Sequence, residues 1–217
     1  MTTTRMLAII AGAGLALVAA AGFAYSIGKD VGPFGPRHSR TETRLVTEPV
    51  RSLVLQTDAG SVEIVRGPRL VLRETTSYRG SGDAPHPEHQ LDGGELTVTS
   101  PGCNGCSTDF RVELPAGVAL RASSDAGAVS AEGVDVPEVH LRSDAGNVSA
   151  DVVGAPTVVE VRSDAGDVSV TVPPGRYAAA TDTDAGDENV TGIVNDPQAA
   201  NRITAETDAG DVTISAR

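Results

Sequence analysis

The stretch RSDAGNVSA at Arg142–Ala150 returns as RSDAGDVSV at Arg162–Val170 and as ETDAGDVTI at Glu206–Ile214. Its central tripeptide, Asp-Ala-Gly, occurs at Asp58–Gly60, Asp125–Gly127, Asp144–Gly146, Asp164–Gly166, Asp184–Gly186 and Asp208–Gly210. From the second copy onward the Asp residues are 19, 20, 20 and 24 positions apart. A period near twenty marks stacked supersecondary units. The flanks alternate with period two, which means strands. Val159, Val161 and Ser163 share one face, with Glu160 and Arg162 on the other. After the turn Val168, Val170 and Val172 point inward, and Asp167, Ser169 and Thr171 outward. Other copies give Val139 and Leu141 then Val148, Ala150 and Val152, and Ile203 and Ala205 then Val212 and Ile214. Each unit is strand, Asp-Ala-Gly turn, strand, then a looser Pro/Gly connection such as Val172–Gly175. Beyond residue 30 no segment carries a helical period.

Turn chemistry accounts for the tripeptide. Asp accepts a hydrogen bond from an N–H two or three residues ahead, Ala fits a tight corner, and Gly supplies positive φ. Either each unit is one coil of a solenoid with parallel stacking, or each turn closes a hairpin. The near-constant period and the Val, Leu, Ile and Ala inward positions favour the first. The expected fold is all-β: a β-helix-like β-solenoid of ~20-residue strand-turn-strand repeats after one N-terminal transmembrane helix. An antiparallel β-sandwich is the alternative. The segment Arg66–Val118 interrupts the register; it reads as coils with degenerate turns plus a polar loop from Tyr78 to Gly94. Glu188 stands where Val168 and Val212 stand, which suggests a bulge or a local register shift.

Composition sets further bounds. Of 217 residues 40% are hydrophobic but only 3% aromatic, with no Trp, which argues against base-stacking platforms and aromatic sugar-binding strips. The net charge of -12 repels phosphate backbones and excludes nucleic acid as a partner.

Residues Met6 to Gly28 are uncharged, and as a helix they extend about 34 Å, enough to cross a bilayer. The expected organisation is a cytoplasmic tail (1–5), a membrane-spanning helix or uncleaved signal anchor (6–28), a Gly/Pro linker (29–41) and a β-repeat domain (42–217). Ala19-Ala20-Ala21 leaves a cleaved signal peptide open. Lys29, Arg37, Arg40 and Arg44 follow the segment, yet Asp30 offsets Lys29 and large domains translocate regardless of flanking charge. The expectation is a single-pass protein of the cell membrane, held through residues 6–28, with its C-terminal domain outside the cytoplasm.

A membrane segment followed by strand-[S/T]-D-A-G-[D/N]-V-[S/T]-[V/I/A] units resembles the bacterial family of candidate adhesins of unknown function called DUF4097. The resemblance runs from Leu45 to Ile214 and implies a solenoid-like surface domain with an adhesin role. It carries no catalytic motif onto this chain.

Stacked turns would bring Asp164, Asp167, Asp184, Asp187, Asp208 and Asp211 within calcium-binding reach; the competing role is capping of the turns, with the second Asp solvated. Cys103 and Cys106, the only cysteines, flank Asn104-Gly105 and read as a disulfide-pinned turn, with a shared metal half-site or a reactive pair as alternatives. His86-Pro87-Glu88-His89 reads as a solvated loop, because no helix positions it for a metal, and His140 as outward. No phosphate loop or Gly-x-Ser-x-Gly elbow occurs. No cofactor and no enzyme activity are expected. The expected function is that of a non-enzymatic extracytoplasmic adhesin or envelope-binding module, whose partners are cell-envelope or surface components. An accessory role in envelope stress signalling, or a polysaccharide-active β-helix enzyme, are the alternatives.

Overall fold

The structure, a computed structural model, describes residues 37–80, 83–102 and 105–217. The expected membrane segment lies outside them, as do residues 29–36 of the linker. Among the described residues no helix is long and apolar enough to cross a membrane. They form strands β1 (Arg37–Leu45), β2 (Ser52–Ala59), β3 (Val62–Arg66), β4 (Val71–Arg79), β5 (Glu88–Asp92) and β6 (Glu95–Thr99). These continue as β7 (Ser107–Leu114), β8 (Ala119–Ala126), β9 (Val129–Val134), β10 (Glu138–Ala145), β11 (Val148–Val152) and β12 (Val158–Ala165). The last six are β13 (Val168–Val172), β14 (Arg176–Ala185), β15 (Glu188–Thr191), β16 (Val194–Asn195), β17 (Arg202–Ala209) and β18 (Val212–Ala216). Residues 37–41, expected in the linker, belong to β1.

Two sheets result. Sheet 1 runs β1-β4-β7-β3-β9-β11-β13-β18-β15 and sheet 2 runs β16-β14-β17-β12-β10-β8-β2-β6-β5. Each Asp-Ala-Gly turn carries the chain from a sheet 2 strand to a sheet 1 strand, so it closes no hairpin. Equivalent strands lie parallel and in register: Val139 opposes Val159, Ser143 opposes Ser163, and Val148 opposes Val168. The strands are thus parallel through the body of both sheets, and antiparallel pairing is confined to β1, β4 and β5.

The units do not stack in chain order. The first unit (β2–β3) lies between β6–β7 and β8–β9, and the last (β17–β18) lies between β12–β13 and β14–β15. The six turns therefore stack in the order 58, 125, 144, 164, 208, 184, by the number of their Asp. The 24-residue spacing before Asp208 supplies the chain, including Asp196–Asn201, that crosses over the edge coil. Within Arg66–Val118, β6 and β7 form a genuine coil with a degenerate turn, whereas β4 and β5 extend the sheets at their edges.

This stacking gives the turn residues tasks different from those expected. In five of the six turns the hydroxyl preceding the Asp points inward and donates to the glycine carbonyl of the neighbouring coil: Ser124 to Gly60 (2.9 Å), Ser143 to Gly127 (2.8 Å), Ser163 to Gly146 (2.8 Å), Thr207 to Gly166 (2.8 Å) and Thr183 to Gly210 (3.0 Å), while Thr57 donates to Thr108 O (3.1 Å). Ser143 is fully buried, so the carbonyl it serves has no water to turn to. The N–H of every turn glycine except Gly186, in the end coil, donates to an Ala carbonyl on the other side, as from Gly146 to Ala165 and from Gly166 to Ala209. Glycine is required by closeness: a Cβ on Gly146 would lie 2.4 Å from Gly127 O, and one on Gly166 2.4 Å from Gly146 O. The first Asp is not the expected cap of its own turn. The residue after the glycine takes the backbone N–H instead, from the adjacent coil: Asn147 Oδ1 accepts from Asp167 N (2.9 Å), Asp167 Oδ1 from Asp211 N (3.0 Å) and Asp211 Oδ1 from Asp187 N (2.9 Å).

Between the sheets lies one continuous apolar filling, dominated by Val, Leu, Ile and Ala. Burying each such side chain contributes about 1.5–3 kcal/mol for the larger ones. The two buried aromatics among the described residues, Phe110 and Tyr177, belong to the coils nearest the two ends. Tyr177 donates to Pro173 O at 2.9 Å, and burial raises its pKa.

Candidate binding face

Strand alternation turns every second side chain of sheet 2 outward, and parallel register lines them in rows across the stack. One row reads Arg121, His140, Glu160, Thr204, Ala180 and the next Ser123, Arg142, Arg162, Glu206, Asp182. Beside the turns runs a third row, the first Asp of each Asp-Ala-Gly. Arg162 bridges Glu160 (2.9 Å) and Glu206 (3.3 Å), and His140 Nδ1 lies 3.2 Å from Glu160. Arg142 lies 3.0 Å from both carboxylate oxygens of Asp164 and 3.1 Å through Nε from Asp144. Between these side chains lies a shallow depression of about 290 Å³, lined by Arg121, Ser123, His140, Arg142, Glu160 and Arg162. Such exposed ion pairs contribute little stability, about 0–1 kcal/mol each. Their order across the coils gives the face its chemistry: basic side chains are grouped on the middle coils and acidic ones beyond them, at a spacing near 4.8 Å. Sheet 1 presents an outward row of another kind, Ser130, Ser149, Ser169, Thr213 and Asn189.

The six aspartates considered for calcium are distributed between these features. Asp164 is paired with Arg142, Asp167 and Asp211 accept backbone N–H groups, and Asp184, Asp187 and Asp208 are exposed. Among the described residues no group of three or more His, Cys, Asp or Glu gathers in a metal-holding arrangement. Cys106 is disulfide-bonded, while Cys103 lies outside the described residues. Glu188 sits at neither a bulge nor a slipped register, because it pairs in line with Val212. The register shift falls instead between Ala150 and Val152, on the β9–β11 pair.

The expected solvated loop around His89 is corrected by the structure. His89 lies on β5, and its Nε2 is 2.5 Å from Glu74 Oε1, a carboxylate buried on β4. Since β4 belongs to sheet 1 and β5 to sheet 2, this contact ties the two sheets together at the end of the stack. Burial lifts the Glu74 pKa to about 7 against the opposing pull of Arg44, and burial lowers that of His89. Nearby, His86 Nδ1 contacts Glu42 at 3.1 Å and Arg40 Nη1 contacts His86 Nε2 at 3.0 Å. The sequence signal for the buried acid is weak: Glu74 stands at an inward position of an alternating run, between the buried Leu72 and Thr76.

These features define a class of protein: a two-sheet stack of β-repeats zipped together at Ser/Thr-Asp-Ala-Gly turns. The chain belongs to the Toastrack DUF4097 family, whose profile matches residues 90–217. The fold is similar to that of a candidate cell adhesion protein from Clostridium sporogenes, with TM-score 0.61 and 17% identity over 82% of this chain and 100% of that one. Candidate adhesins from Bacteroides fragilis and Parabacteroides merdae overlay with TM-scores of 0.34 and 0.31 at 10% and 13% identity. Each alignment covers 82% of this chain, with 97% and 96% of the respective neighbours. No curated protein matches the sequence.

Proposed function

We propose that this chain is a non-catalytic, membrane-anchored β-solenoid displayed outside the cytoplasm, and that the outward face of sheet 2 binds polymeric components of the cell envelope or of another cell surface. The observation that carries the proposal is the geometry of that face: outward side chains lie in register from coil to coil and an Asp recurs beside every turn, a regular spacing that suits a repetitive ligand. Residues 6–28 supply the anchor and residues 29–36 the spacer. The name of the Clostridium structure, a candidate cell adhesion protein, supports the same role.

Binding to isolated envelopes tests it, with the full chain reconstituted in nanodiscs and empty nanodiscs as the control. Wild-type protein is expected to bind saturably, and the double substitution Arg121→Glu with Arg142→Glu to weaken binding at least about tenfold through the lost charge complementarity. Equal binding by wild type and double variant would exclude this face. Adding a chelator separates a cation-bridged contact from a direct one.

A further inference from the structure

The two ends of the stack are closed by polar versions of the core columns, and the edge strands of sheet 1 at the two ends, β1 and β15, carry opposite charge, whereas β5 at the sheet 2 edge beside β1 carries Glu88 and Asp92. At one end the inward column Leu72, Glu74, Thr76 of β4 is continued on β1 by Arg44, Glu42 and Arg40. That strand carries three arginines against one glutamate. At the other end the inward column Val212, Ile214 of β18 is continued on β15 by Glu188 and Val190. The coil that ends there, residues 176–195, carries one arginine against Asp182, Asp184, Asp187 and Glu188. Thr181 Oγ1 on β14 donates to Glu188 Oε2 on β15, so a carboxylate from sheet 1 meets a partner from sheet 2, as Glu74 meets His89 at the opposite end.

Apolar surface follows the same division. Val190 (41% exposed) and Val194 (53%) are the exposed large hydrophobics among the described residues, and both belong to the acidic end. The β1–β5 end has a small notch lined by Val46, Leu72, Leu91 and Leu96, with Arg44, Glu48 and His89 at its sides. Strand direction matches as well. β1 is antiparallel to β4, and β4 is antiparallel to β7, so β1 runs parallel to β15. Among the described residues nothing pairs with the outer edge of β1 or of β15.

We propose that the occupant of each end is a second copy of this chain, docked head to tail, with the acidic coil β14–β15 of one copy on the β1–β5 end of the next. In sheet 1 the parallel ladder continues from β15 into the neighbour's β1. Glu188 stacks beside the neighbour's Arg40 and Arg44, and Val190 and Val194 cover its apolar notch. Such an interface is heterologous, since the two surfaces in contact differ, and repetition without closure gives a linear assembly. Edge strands unblocked by proline favour this kind of addition, and the three arginines of β1 oppose pairing of that edge with a second β1.

The test uses the full chain in detergent micelles and two variants, each disabled at one end. Val190→Lys with Val194→Lys alters the acidic end; Arg37→Glu with Arg40→Glu alters the β1–β5 end. Sedimentation velocity across a wide concentration range is expected to show wild-type species growing past the dimer, and shrinking at high salt. Each variant alone is expected to be monomeric, with association weakened at least about tenfold. Mixing the two at equal ratio restores one intact junction and is expected to stop at the dimer. Circular dichroism confirms that both variants remain folded. Wild type that stays monomeric, or variants that associate as wild type does, would overturn the proposal; the latter result would trace association to the shared N-terminal segment.

Discussion

Replacing Gly166 by alanine probes the turn zipper in the interior of the stack. A Cβ at Gly166 would lie 2.4 Å from Gly146 O and 2.6 Å from Gly146 C, with Asn147 N 2.9 Å away. All three are backbone atoms of the adjacent coil, so relief requires the two coils to separate. They are also held by the hydrogen bonds from Ser163 Oγ to Gly146 O and from Asp167 N to Asn147 Oδ1. Overpacking of this kind costs about 1–3 kcal/mol, and the φ of +152° adds backbone strain for any L side chain. Together the expected loss is about 3–5 kcal/mol. For a domain of this size that lowers the melting temperature by roughly 10 °C. The control is Gly133→Ala, where φ is +60° but no atom lies within 4 Å of the new Cβ. There only the conformational penalty remains, about 1 kcal/mol. Gly186→Ala isolates the other term: its Cβ would lie 1.9 Å from Gly210 O without a left-handed φ, in a terminal coil free to shift outward. Its cost is expected to fall between the other two. Thermal and urea melts of the three variants decide the matter. Equal losses for Gly166→Ala and Gly133→Ala would refute inter-coil contact as the reason for the repeated glycine.

Ser143→Ala leaves the Gly127 carbonyl without its buried hydroxyl and is expected to cost about 1–3 kcal/mol in the same melts, whereas Ser149→Ala on the outer face should cost little. Glu74 has a folded-state pKa near 7, above its unfolded value, so its protonated form is the one the fold favours. The contribution is complete below the unfolded pKa and is lost as pH rises through about 7. Relative to wild type, Glu74→Gln should therefore gain stability between pH 5 and pH 8, by up to about 3 kcal/mol. His89 acts oppositely, because its lowered pKa makes the fold resist protonation as pH falls below 6.5. Non-reducing peptide mapping should recover Cys103 linked to Cys106, and closing so short a loop contributes about 2 kcal/mol. Millimolar calcium should leave the melting temperature unchanged, since two of the six candidate aspartates already accept backbone N–H groups and a third is paired with Arg142.

Much of the fold was legible because the signal is local. Alternation assigned Val159, Val161, Val168, Val170 and Val172 to the interior, where each is buried. It also placed Ser163 on that inner face, though not what its hydroxyl does there, since the acceptor Gly146 belongs to another coil. The Asp role was misread for the same reason: an Asx turn is a local reading, while Asp167 bonds the N–H of Asp211, 44 residues away. Stacking order was hidden because equivalent units carry near-identical inward surfaces, and any of them can lie beside any other. Two clues to it were present, the 24-residue spacing and the polar Thr181 and Glu188 at inward positions, which mark an end coil and not a bulge. The charged rows of the candidate face follow directly from alternation. The Glu74–His89 contact does not, because it joins strands from different sheets.

The most direct test of the stack is its order, read by amide-to-amide nuclear Overhauser contacts in the isotopically labelled protein. Ser163 is paired in register with Thr207, and Thr207 with Thr183. The strand of Ser163 should therefore show cross-strand contacts to that of Thr207, at a spacing of about 4.8 Å, and none to that of Thr183, about twice as far away. Contacts running directly from Ser163 to Thr183 would mean that the units stack in chain order, and would contradict the placement of the last coil inside the stack.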